Sequence, residues 1–108
     1  MKYLWIACLM AATLAAQETP ELREARHHLT LAASRATANF RSADSIEANL
    51  RRQGAVLHPQ LIALRVRIEA ALSEARFEMD QRDYPAAEDA LTRADALLDR
   101  FARQIGGY

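Results

Sequence analysis

The sequence predicts an all-α protein: a small antiparallel three-helix bundle behind an N-terminal signal peptide, with four helices if the first is broken near Ser42. Three observations carry this prediction. Apolar residues recur at steps of three and four through most of the chain after Thr19, which is the period of one helix face. Only three Gly and three Pro punctuate 108 residues that are 51% hydrophobic, a balance that describes ordered helix rather than linker. Ala, Leu, Arg and Glu are abundant, aromatic and β-branched residues are few, and no stretch alternates as a strand does.

Residues 1–16 read as a secretory signal peptide. Lys2 supplies a positive start, Tyr3 to Leu14 an apolar core, and Thr13-Leu14-Ala15 or Leu14-Ala15-Ala16 a small-residue cleavage site. The apolar run falls short of the roughly 20 residues that span a bilayer. Cleavage is therefore expected, with no stable membrane insertion afterwards and a periplasmic or extracellular destination. Cys8 does not read as a lipoprotein acylation site, because Trp5 replaces the expected leucine and the position is too early. With the leader gone, residues 17–108 form one domain without thiol chemistry.

The first helix is expected over about 20–53. Thr19-Pro20-Glu21 offers a capping hydroxyl, a proline at the first helical position and an acid in the first turn. Leu22, Ala25, Leu29, Ala32, Ala36, Ala43 and Leu50 follow in heptad-like steps. This narrow, alanine-rich stripe suits close helix packing. Arg51 and Arg52 favour the last turn, and Gly54 fits a left-handed stop. Such a helix extends about 50 Å and the next only about 36 Å, so something must cover the surplus. Asp44-Ser45-Ile46-Glu47 resembles an internal capping box, which allows a kink or break near Ser42.

Two further helices, about 59–82 and 85–105, form the organising hairpin. Pro59 again opens a helix. Leu61, Leu64, Ile68, Leu72, Ala75 and Met79 make one face of the second helix, and Ala87, Leu91, Ala94, Leu98, Phe101 and Ile105 one face of the third. Pro85 displaces Tyr84 from helical geometry, and Asp83 is placed to cap the third helix. So short a connection makes the two helices antiparallel neighbours. Gly106-Gly107-Tyr108 reads as a stop and a frayed tail.

Asp83-Tyr84 followed by Ala87, Leu91 and Ala94 resembles the turn and second helix of a tetratricopeptide repeat, with Ala75 in place of the repeat's upstream small residue. The resemblance covers roughly residues 71–98. It departs at Glu74 and Glu78, where the repeat carries large apolar side chains. It implies a helical hairpin and protein binding; a solenoid needs about three copies, and one is present.

Chemistry is sparse. Fourteen basic residues balance fourteen acidic ones, so no global field steers the chain to nucleic acid or anionic lipid. His27 and His28 are adjacent and point about 100° apart on a helix; they and His58 read as surface histidines, with no metal and no cofactor expected. Glu47 and Arg51, Glu78 and Arg82, Asp89 and Arg93, and Asp99 and Arg103 sit at i and i+4, each pair expected to add about 0.2–0.5 kcal/mol to its helix. Neither a serine elbow nor a carboxylate dyad is visible, and no enzymatic activity is expected.

One irregularity remains. The second helix carries another apolar stripe, Ile62, Val66, Ala70 and Phe77, about 150° from the first. A helix apolar on two sides is buried between neighbours or shared with a partner. The simpler reading has the first and third helices flank it. The sharper one makes Ile62, Val66 and Phe77, with Leu22 and Leu29 at the overhanging start of the first helix, a surface for a protein partner or a homodimer. The function expected is an exported, non-catalytic interaction or structural module of the cell envelope. The alternative is a small-ligand or metal-binding periplasmic bundle.

Overall fold

Each helix starts on a side-chain acceptor with proline one or two residues further on. Thr19 Oγ1 accepts from the Leu22 N–H at 3.2 Å, His58 Nδ1 from the Gln60 N–H at 3.2 Å, and Asp83 Oδ1 from the Ala86 N–H at 3.2 Å. These bonds occupy donors that a helix start leaves without a backbone partner. The computed structural model describes residues 19–108; the expected signal peptide and Cys8 lie outside the described residues. Three helices run in order, α1 Pro20–Arg52, α2 Pro59–Asp80 and α3 Tyr84–Gly106, with no strand among the described residues. Tyr84 is already helical, so the non-helical backbone expected there falls one residue earlier, on Asp83.

The first two stops share one geometry, and the third differs. Gly54, at φ 73°, ends α1, and the Ala55 N–H reaches back to the Leu50 carbonyl at 2.8 Å. α2 ends on Arg82 at φ 61°, a left-handed residue with a Cβ to accommodate. The Asp83 N–H then bonds the Glu78 carbonyl at 2.9 Å. The expected glycine stop at the end of α3 is absent: the helix runs through Gly106, and Gly107 has φ −80°. Nor is the last residue a loose end, because the Tyr108 hydroxyl accepts from the His58 N–H at 2.9 Å.

α1 is continuous through Ser42, so the helix is not broken there and the four-helix alternative is corrected. Asp44 does not cap a new helix; it accepts from Arg65 of α2 at 2.8 Å. The pairing of Asp44 with Arg65, against His28 with Glu88 and Arg35 with Asp99, sets α1 antiparallel to α2 and parallel to α3. The α2–α3 hairpin supplies the large core side chains: Leu61, Ile68, Leu91, Leu98 and Phe101 are fully buried. α1 contributes Ala25, Ala32, Ala36 and Ala43, each buried. Methyl-sized knobs let its backbone lie close to the hairpin.

The largest side chain of α1 at this seam is Phe40. Its ring meets that of fully buried Phe101 edge-on, centroids 5.5 Å apart and planes at 79°. The Arg65 guanidinium covers the Phe40 ring at 4.5 Å from its centroid, so the charge of α2 lies on the ring's negative face. No polar or charged residue is buried among the described residues.

Candidate interaction surface

The second stripe of α2 points outward. Ile62, Val66 and Phe77 are 54%, 61% and 59% exposed, and Ala70 between them is exposed too. The expectation that α1 and α3 flank this stripe is therefore corrected. The reason is angular. Leu61, Leu64, Ile68, Ala71, Leu72 and Ala75 carry the buried contact with the other helices. At about 100° per residue, Val66 and Phe77 fall almost opposite that arc. Two neighbours cover one side of a helix, and a third would be needed for the other.

Leu22 and Leu29 sit elsewhere. Both are half-buried on the flank of α1 that turns toward α2. Leu29 packs against the core and lines a shallow groove with Ala33, Thr37, Arg41 and Arg76. Of the five surface candidates, the structure thus brings Ile62, Val66 and Phe77 onto one face, with Leu29 across the groove beside Arg76. Leu22 lies about two helical turns further toward the start of α1.

Charged residues border the α2 stripe on both sides. Glu69 and Arg76 follow one border, and Arg67 and Glu74 the other. Glu69 meets Arg65 at 3.5 Å, and Glu74 meets Arg93 of α3 at 2.9 Å. Arg67 and Arg76 have no ion-pair partner among the described residues.

A polar seam on the other flank of α1 escaped the sequence reading. His28, read as a surface histidine, is half-buried between α1 and α3. Its Nδ1 lies 2.7 Å from Glu88 Oε2 and its Nε2 lies 2.6 Å from Asp95 Oδ2. A neutral ring donates from one nitrogen only, so two carboxylate partners call for the imidazolium. Desolvation pulls the pKa of His28 down, but the bonds to Asp95 and then Glu88 outweigh it and raise it above the usual 6.5. Arg35, two turns on, bonds Asp99 at 2.6 Å and approaches Asp95 at 3.6 Å. The available signal was the matched spacing: His28 and Arg35 are seven apart, as are Glu88 and Asp95.

Two of the four expected i,i+4 pairs are diverted to such contacts, and no ion pair joins Glu78 to Arg82. Glu47 and Arg51 do bond within α1. Arg93 instead turns to Glu74 and Asp99 to Arg35. No group of three or more His, Cys, Asp or Glu side chains able to hold a metal ion occurs among the described residues. No helix among them is long and apolar enough to cross a membrane. No protein-family model, curated protein or solved structure matches the chain.

Proposed function

We propose that this chain is an exported, non-catalytic helical protein that binds another protein through the outer face of α2, serving as an interaction or structural module of the cell envelope. One observation carries the reading: Ile62, Val66 and Phe77 form an apolar line on the pole of α2 opposite the core, where folding itself has no use for them. Exposed side chains this large, aligned over four turns and edged by charges, fit a helix that receives a partner. The half-buried His28, Glu88 and Asp95 are engaged in contacts between α1 and α3, which supports a structural account of them. Export rests on the leader-like composition of residues 1–16.

The test is site-specific photocrosslinking in the producing cell. A crosslinker at Val66 is expected to give discrete adducts in the envelope fraction that disappear in a Phe77→Glu chain. A crosslinker at exposed Thr92 is expected to give none. Equal labelling from both positions, or none from Val66, overturns the proposal.

A further inference from the structure

The outer face of α2 carries its own complement. Its midline is Ala63, Val66, Ala70, Ser73 and Phe77, steps of three and four that define a coiled-coil seam. Arg67 and Glu74 fall on one side of this seam, Glu69 and Arg76 on the other. When two such helices pack antiparallel, midline residues interleave and each border meets the same border of the other helix.

We infer that α2 pairs antiparallel with α2 of a second copy of this chain, about a two-fold axis level with Ala71 and Leu72. The inference rests on the docking reading of this face and names its occupant. In this register Val66 covers Phe77 of the second copy and Ala70 meets Ser73. Arg67 then faces Glu74 of the second copy, and Arg76 faces Glu69. By symmetry each contact occurs twice. The two border arginines without an ion-pair partner thereby gain one, and both acids, with side chains 58% and 46% exposed, have room for a second cation.

The alternatives are electrostatically worse. A slip of one heptad one way sets Arg67 on Arg67 and Glu69 on Glu69. A slip the other way sets Glu74 on Glu74 and Arg76 on Arg76. A parallel pair sets Glu69 against Glu74. Only the antiparallel register that covers Phe77 with Val66 matches charge on both borders. Alanine at the seam lets the helices approach closely, and nothing in α1 or α3 is required at the contact.

The test is sedimentation of the purified full chain under reducing conditions, from micromolar to millimolar concentration. A monomer–dimer equilibrium is expected, abolished in Phe77→Glu. Arg67→Glu and Glu74→Arg, taken singly, place like charges on one border and raise the dissociation constant about tenfold. Mixed in equal amounts they associate as tightly as the parent, because each copy supplies the sign the other lacks. If Glu74→Arg loses helicity for want of its Arg93 contact, Glu69→Arg mixed with Arg76→Glu tests the other border by the same logic. A strict monomer at millimolar concentration, or a dimer indifferent to both substitution and mixing, overturns the pairing. The docking reading fails separately, when Val66 crosslinks to nothing; adducts of foreign mass from a strictly monomeric chain overturn the second copy alone.

Discussion

Nε2 of His28 on α1 lies 2.6 Å from Oδ2 of Asp95 on α3, while the ring's other nitrogen holds Glu88 at 2.7 Å. One imidazole thus joins two helices, and the join depends on its proton. The raised pKa of His28 fixes the sign: the contribution is complete below the unfolded value near 6.5 and is lost as pH rises through the higher folded value. Carboxylates exposed by 35% and 41% keep the effect to about 1 kcal/mol. Chemical denaturation is expected to show stability falling as pH rises from about 6.5 through the raised folded value, and a flatter profile in His28→Gln. An unchanged slope in that variant would place the pH dependence elsewhere.

Phe101 is fully buried and stacks edge-on with Phe40. Phe101→Ala is expected to cost about 3–5 kcal/mol through lost burial and the cavity left behind. Filling rather than emptying the seam also costs: Ala36→Leu forces α1 off the hairpin, at about 1–3 kcal/mol. Urea midpoints with unchanged slopes would check both values. A neutral Ala36→Leu would mean the seam is looser than its buried alanines indicate.

Arg82 is exposed and left-handed, with φ 61°. Removing its Cβ relieves a conformational cost of about 1–2 kcal/mol, partly offset by the freedom glycine gains in the unfolded chain. Arg82→Gly is therefore expected to stabilise the protein by roughly 0.5–1 kcal/mol, seen as a higher melting temperature. A lower melting temperature would show that the Arg82 side chain makes a contact worth more than the strain.

Much of the architecture was legible because it is local. Thr19 and Asp83 announce helix starts, Gly54 a stop, and the recurrence from Leu61 to Phe101 a shared core. What escaped depends on neighbours. Periodicity marked both apolar faces of α2, but not which one another helix would cover. Acid–base spacing in one helix competes with partners on the next, so Asp99 went to Arg35. No glycine lies between Met79 and Tyr84, so nothing flagged a left-handed Arg82. The break imagined at Ser42 came from reading Asp44 against its own helix, when its partner is Arg65.

The alanine lining of α1 has an effect beyond packing. A methyl group returns only about 0.8 kcal/mol on burial, so a helix fastened by such side chains leans on Phe40, on the half-buried Leu29, Ile46 and Leu50, and on its ionic clasps to stay docked. Screening by salt weakens those clasps and leaves the greasy hairpin untouched. α1 is therefore expected to lift away first as salt rises, as one hinged arm, ahead of the other two helices.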